Sequence, residues 1–178
     1  MRCDIRLSGS GGQGLILAGV ILGEALALVE DKYVVQTRSF GPEARGGASK
    51  SDVIFSDTEI FYTKARRLNI LLALSQKACD EYASSLAPRG VLIVDPKYVK
   101  KYPKKGIALP FSEISQKKFN TELFANIMSL GAISALTKIV TTEDLASALH
   151  SQAPPETLDA NIEALSLGKE LALRKQRK

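Results

Sequence analysis

From Cys3 to Ser8 apolar and polar residues alternate, with Ile5 and Leu7 on one side, which predicts a strand. Six residues, GSGGQG from Gly9 to Gly14, break the pattern before an apolar segment that carries Glu24 as its only charge as far as Val29. That segment is too long for a strand and too apolar for an ordinary surface helix, so it predicts a helix covered on most sides. Tyr33 to Thr37 (YVVQT) and Ser51 to Ser56 predict two further strands with a turn-rich stretch from Ser39 to Gly47 between them. No crossover helix fits between them, so an antiparallel pair is expected.

Asn69 to Ala73 and Val91 to Val94 are continuous apolar runs that read as buried strands. Between them a helix is expected from about Gln76 to Leu86, ending near Pro88 and Gly90, which makes a βαβ unit. A short strand follows around Ile107 to Leu109, beyond a lysine-rich loop. Thr121, with Glu122 in the first turn, opens a helix that runs uncharged from Leu123 to Thr137. Thr141 followed by Glu143 and Asp144 has the composition of a helix cap, and Pro154-Pro155-Glu156 precedes a last, surface helix to about Leu173. Two nearly uncharged helices exceed what one sheet face must bury, which points to contact with another chain. A helix sandwiched wholly within the domain fits the pattern equally well.

Candidate chemistry begins at the glycine-rich turn. Gly9, Gly11 and Gly14 satisfy G-x-G-x-x-G between a strand and a helix, where backbone N–H groups and the helix N-terminus can hold an anion. A dinucleotide fingerprint also needs an acid at the end of the second strand; Gln36, Thr37 and Arg38 stand there instead, and Asp31 falls before that strand. Arg38 leaves an NADP reading open, and the glycines also fit a ligand-free tight turn. A second cluster runs Arg38-Ser39-Phe40-Gly41-Pro42-Glu43-Ala44-Arg45-Gly46-Gly47, with Lys50 after it. Its guanidiniums and glycine N–H groups suit a phosphate or carboxylate, while a surface turn with Glu43 paired to Arg38 or Arg45 is the alternative.

Composition narrows the function. The 178 residues, 45% hydrophobic and 24% charged, fit one folded domain. Of the formal net charge of +5, Arg174, Lys175, Arg177 and Lys178 supply four, leaving +1. Lys97, Lys100, Lys101, Lys104 and Lys105 supply five more, so the remainder is −4, which disfavours a broad nucleic-acid face. Cys3 and Cys79 stand far apart and His150 is the single histidine, so no metal cluster is read and structural thiols are expected. No nucleophile–base pair assembles, and Asp95 at the end of a strand reads as a turn-forming residue. The absence of a signal core or long apolar run leads to the expectation of a cytoplasmic protein with no membrane contact.

The GSGGQG turn with its apolar helix, followed by FGPEARGGASKSDVIFSD from Phe40 to Asp57, resembles the gamma subunit of 2-oxoacid:ferredoxin oxidoreductases, nearest to the 2-oxoglutarate type, with pyruvate relatives sharing the fold. The resemblance implies oxidative decarboxylation of a 2-oxoacid with coenzyme A to acyl-CoA, carbon dioxide and reduced ferredoxin. It implies partners too: thiamine-diphosphate-binding alpha and beta subunits and an iron–sulfur subunit or ferredoxin. Thiamine diphosphate, Mg2+ and the iron–sulfur clusters are then expected on those partners, and none on this chain, whose role is assembly and access of coenzyme A. Carried over by position, Gly9, Gly11, Gly12, Gln13, Gly14, Arg38, Gly41, Pro42, Glu43, Arg45, Gly46 and Gly47 face that interface or the coenzyme A entry. The isolated chain is expected to be inactive and to form homodimers or aggregate. The expected fold is a single three-layer Rossmann-like α/β domain over residues 1–173 with a central, mixed β-sheet, followed by a basic tail at 174–178. An independent NADP- or flavin-binding oxidoreductase and a non-catalytic anion-binding module are the alternatives.

Overall fold

The computed structural model describes residues 1–29, 32–39 and 49–177. Strand β1 (Arg2–Gly9) leads through the glycine-rich turn into helix α1 (Leu15–Ala27). Strands β2 (Tyr33–Ser39), β3 (Ser49–Ser56) and β4 (Leu68–Ala73) follow, then α2 (Gln76–Tyr82), a 3-10 turn (Ala83–Ser85), β5 (Leu86–Val94) and β6 (Ile107–Ala108). The chain closes with α3 (Phe111–Phe119), α4 (Ala125–Thr137), α5 (Thr142–Gln152) and α6 (Pro155–Gln176).

The sheet has the order β2-β3-β1-β4-β5-β6 and is mixed. β3 runs antiparallel to both neighbours, while β1, β4, β5 and β6 are mutually parallel. The expected antiparallel β2–β3 pair and the parallel β4–α2–β5 unit are both present. β1 and β3 pair along their whole length, from Arg2 opposite Ser56 to Gly9 opposite Ser49, which locks β1 into the sheet between β3 and β4.

One face of the sheet carries most of the helical mass. Ile5, Leu7, Val53 and Leu72 point into a large apolar cluster with Ile21, Leu22 and Leu26 of α1 and Leu130 and Ile133 of α4. Burying each such side chain contributes about 1.5–3 kcal/mol before chain entropy is counted. α4 is buried on every side from Ala125 to Ser134, so the sandwich accounts for its lack of charge without a second chain. α1 is covered over most of its length, with Leu17 and Ala27 exposed. α4 crosses α6 at glycines: a Cβ on Gly168 would lie 1.8 Å from the Met128 carbonyl oxygen, and one on Gly131 2.0 Å from that of Leu165. α6 thus packs one stripe, including Ala164, Leu165, Gly168 and Ala172, into the domain and keeps its other face exposed, as the surface helix expected from the sequence does.

Several elements differ from the sequence expectation. The helix after β4 stops at Tyr82, and β5 takes in Pro88 and Gly90 through a register irregularity opposite Leu68 to Ile70. The apolar helix begins at Ala125, because Thr121 and Glu122 form a separate turn in which the Ala125 N–H reaches the Glu122 carbonyl at 3.0 Å. α3 is absent from the pattern reading, since its first turn is capped from a distance: the buried Asp95 carboxylate, seventeen residues back, accepts the Ser112 N–H at 2.7 Å. At the end, α6 runs on to Gln176, beyond the expected stop near Leu173, and Arg174 pairs with Glu170 one turn earlier.

Candidate functional site

The glycine-rich turn and the described part of the second cluster, Arg38 and Ser39, lie at one end of the sheet. Gly9 ends β1 directly opposite Ser49, and Ser39 at the end of β2 lies opposite Lys50. This is also the carboxyl end of the parallel strands, where open α/β sheets place their ligands.

Within the turn the glycines do different things. Gly14 caps α1 with φ of 69°, and Asn126 of α4 donates from Nδ2 to its carbonyl at 3.1 Å. A Cβ there would sit 2.3 Å from that same nitrogen, so the turn and α4 fit only with glycine. Gly9 is hemmed in as well, by the Gln13 amide oxygen and Leu15. Gln13 points inward: its Oε1 accepts the Ser10 N–H at 2.8 Å, and its Nε2 donates to the Leu74 carbonyl at 3.0 Å, tying the turn to the end of β4. Gly11 and Gly12 face open space, and Gly12 has a φ of 82°.

Gly12 and Gln13 border a cleft of about 180 Å³ whose other wall includes Tyr98, Ser112, Glu122 and Leu123. Glu122 pairs with Lys97 and accepts the Tyr98 hydroxyl at 2.6 Å. Those two donors hold its carboxyl below the ordinary carboxylate range. An ionised carboxylate thus stands across the cleft from the turn, balanced by one lysine, and the cleft is close to neutral.

The cationic side lies on the opposite face of the sheet. Arg38, Lys50 and Lys64 line a pocket of about 430 Å³ together with Arg6, Asp52 and Thr37. Arg6 and Asp52 form a buried two-point ion pair at 2.7 and 2.6 Å. Burial alone would pull the Arg6 pKa down, but the hydrogen bonds and charge of Asp52 outweigh it, and the net direction is up. The sequence reading missed Arg6, Asp52, Tyr82, Glu122 and Asn126. A signal existed for the first two, since charged residues at alternate positions of β1 and β3 fall on one face of the sheet.

The strand carrying Arg38 is separated from β1 by β3, about 10 Å at ordinary strand spacing. A dinucleotide fold places the ribose-reading residue on the strand next to the glycine turn, so the NADP reading loses its geometry. Gly41, Pro42, Glu43, Arg45, Gly46 and Gly47 lie outside the described residues. Among the described residues no group of three or more histidine, cysteine or carboxylate side chains could hold a metal ion. Cys3 is buried on β1, and burial, with Asp4 adding to it, pushes its thiol up to about 12, so it is inert at neutral pH.

Residues 4–171 match the family model for pyruvate ferredoxin/flavodoxin oxidoreductase. The chain belongs to that family. It is 46% identical over 177 residues to a 2-oxoglutarate synthase subunit KorC from Methanocaldococcus jannaschii, covering 97% of this chain and 95% of the relative. A keto/oxoacid ferredoxin oxidoreductase gamma subunit from Geobacter sulfurreducens superposes with a TM-score of 0.88 at 42% identity, over 98% of both chains. The same fold occurs in a 2-oxoglutarate:ferredoxin oxidoreductase from Magnetococcus marinus, solved with 2-oxoglutarate, coenzyme A and succinyl-CoA. There the TM-score is 0.82 at 24% identity, with 97% of this chain covering 31% of the other. The chain is thus a gamma-type subunit of a 2-oxoacid:ferredoxin oxidoreductase, as the GSGGQG turn and the FGPEARGG loop imply. No helix among the described residues is long and apolar enough to cross a membrane.

Proposed function

We propose that this subunit serves a 2-oxoglutarate:ferredoxin oxidoreductase and contributes assembly and coenzyme A access to it. The observation that carries the reading is near-full-length identity of 46% to a 2-oxoglutarate synthase subunit. In the reaction the 2-oxoacid loses its carboxylate as carbon dioxide, the acyl group passes to coenzyme A, and the electrons pass to ferredoxin. Thiamine diphosphate, Mg2+ and iron–sulfur clusters belong on companion alpha, beta and iron–sulfur subunits in this reading, and the assembly is cytoplasmic. The role left to this chain is to present a surface. Gly11 and Gly12 offer an open turn beside the cleft, with Gln13 and Asn126 holding it in shape. Arg38 stands near the end of β2, at the same end of the sheet; Arg45 lies outside the described residues.

The test is affinity capture of the tagged chain from its native anaerobic extract, followed by a 2-oxoacid- and CoA-dependent viologen reduction assay. Recovery of thiamine-diphosphate and iron–sulfur subunits, with 2-oxoglutarate the best substrate, is expected. Preference for another 2-oxoacid would correct the substrate, and a lone inactive chain would overturn the reading. Arg45→Ala is expected to raise the KM for coenzyme A and leave that for the 2-oxoacid unchanged.

A further inference from the structure

A second pocket, of about 530 Å³, lies over the amino ends of β1, β4 and β5, bordered by Asp4, Asn69 and Ala87 from the strands and by Tyr62, Arg66 and Arg67 from the segment that joins β3 to β4. It is at the opposite end of the sheet from the glycine-rich turn, since β1 begins at Arg2 and reaches the turn at Gly9. The joining segment has no regular secondary structure, yet it is strapped to β1. The Arg2 guanidinium donates to the Tyr62 carbonyl at 2.8 Å, to the Lys64 carbonyl at 3.1 Å and to the Asp4 carboxylate at 2.7 Å. Asp4, 5% exposed, also accepts the Arg66 N–H at 2.9 Å, and its own N–H reaches Asn69 Oδ1 at 2.9 Å. Arg2 and Asp4 are therefore committed to each other and to the backbone, and they hold the segment in place.

What the strap presents is different. The Arg66 guanidinium carbon lies 4.1 Å from the centre of the Tyr62 ring, which positions it, and Arg67 follows in the chain. Among the described residues neither guanidinium has a carboxylate within ion-pair distance. Asp4 is the one carboxylate lining the pocket, and Arg2 offsets it, so the two guanidiniums are its net charge. Of the other charged groups on the segment and at the start of β5, Asp57 is held by the N-terminal ammonium and Lys32. Glu59, Lys64 and Arg89 lie outside the lining and together add one more positive charge. Planar guanidiniums match a carboxylate through paired hydrogen bonds.

Phe61, next to Tyr62, is 88% exposed and does not line the pocket. A small anion seated between the arginines would leave that ring in water, whereas a protein segment is long enough to cover both. Arginine beside aromatic rings is also the composition that carries most of the binding energy at protein interfaces. The amino end of the parallel strands is, moreover, the end away from which open α/β sheets place their small ligands.

We propose that this end of the domain is a docking surface for an acidic segment of a companion subunit, with a peptide carboxylate seated at Arg66 and Arg67 and an apolar side chain over Phe61. The proposal rests on the reading above that companion subunits bind this chain, and it is independent of which 2-oxoacid they use.

The test uses the assembled enzyme, purified through a tag on this chain. With Phe61 replaced by the photo-cross-linker p-benzoylphenylalanine, irradiation is expected to join the chain to a companion subunit, at a segment bearing aspartate or glutamate that peptide mass mapping identifies. Arg66→Gln/Arg67→Gln is expected to bind the companions about tenfold or more weakly in size-exclusion chromatography on dilution, as loss of two charge-assisted contacts implies. Lys104→Gln/Lys105→Gln makes the same charge change on the loop after β5 and is expected to assemble as the parent does. Thermal melts that match the parent establish that both doubles are folded. Absence of an adduct, an adduct only within this chain or with a second copy of it, or an adduct with a companion segment free of carboxylates would overturn the proposal. So would equal retention of companions by the parent and Arg66→Gln/Arg67→Gln, or equal loss from both doubles; in these cases the functional reading stands. A parent chain that brings down no companion overturns the functional reading and this proposal with it, which keeps the two failures apart.

Discussion

On one face of the sheet Ile5, Leu7, Val53 and Leu72 meet α1 and α4 in a dry apolar layer. On the other, Arg6, Asp52 and Lys50 gather around Tyr82 at the end of one short helix. The same strands build both faces, because alternate side chains of β1 and β3 point opposite ways. The apolar face draws its stability mainly from area removed from water, which is not directional, and its few buried polar side chains, such as Ser51 beside Gln36, are hydrogen-bonded. The charged face needs each group to find its partner, and among the described residues no buried side-chain nitrogen or oxygen lacks one. The α1–α4 face supplies the larger core, while the other face is apolar under α2, where Leu71, Leu92 and Val94 pack on Ala78 and Cys79, and charged at Arg6, Asp52 and Lys50.

The largest way to break this contrast acts where two helices touch through glycine. Gly168→Leu forces side-chain atoms into the Met128 carbonyl, which a Cβ alone would approach to 1.8 Å. A loss of about 4 kcal/mol or more is expected, seen as unfolding in circular dichroism and insoluble expression. Next comes the charged face. Arg6→Met strands Asp52, which is 6% exposed, and is expected to cost about 3–5 kcal/mol in urea denaturation. Arg6→Met/Asp52→Leu should recover most of that loss, because a matched apolar pair removes both the attraction and the desolvation cost. If the double variant stays as unstable as the single, the ion pair is itself a net source of stability and the contrast between faces fails.

A smaller effect separates the glycines of the turn. Gly14→Ala combines left-handed backbone with a 2.3 Å approach to Asn126 and should cost about 2–3 kcal/mol. Gly12→Ala meets only the backbone term, about 1–2 kcal/mol, since no atom lies within 4 Å of its Cβ position. The smallest effect is electrostatic. Glu122 has a lowered pKa when folded, so its contribution is present above its ordinary value of 4.5 and is lost as pH falls through the lower folded value. Glu122→Gln should therefore melt with a shallower dependence below about pH 5, by less than about 1 kcal/mol because the pair is screened by solvent.

Legibility in the sequence followed the range of the interactions. The β1–turn–α1 unit was plain, since alternation, GSGGQG and an apolar run are all local. So were the α5 cap, where Thr141 and Asp144 form a reciprocal capping box, and the proline start of α6. α3 was not, because Asp95, just past the end of β5, caps it from a distant segment. The anion-binding promise of the glycine turn was legible as a motif, but Glu122 and Lys97 beside it come from distant segments and leave that cleft near neutral.

The sequence by itself determined the family that the GSGGQG and FGPEARGG segments point to together, the α/β class, and the antiparallel pairing of the strands read at Tyr33–Thr37 and Ser51–Ser56. Spacing, turn chemistry and chain length between strands decide such matters locally. Only the tertiary structure decided that β3 inserts between β2 and β1, and that α4 is sheathed by its own domain. It alone brought Arg6, Lys50 and Lys64 around one pocket. Strand order and helix burial depend on which distant surfaces exclude water together, and a linear pattern of apolar residues states that a surface must be covered without stating by what.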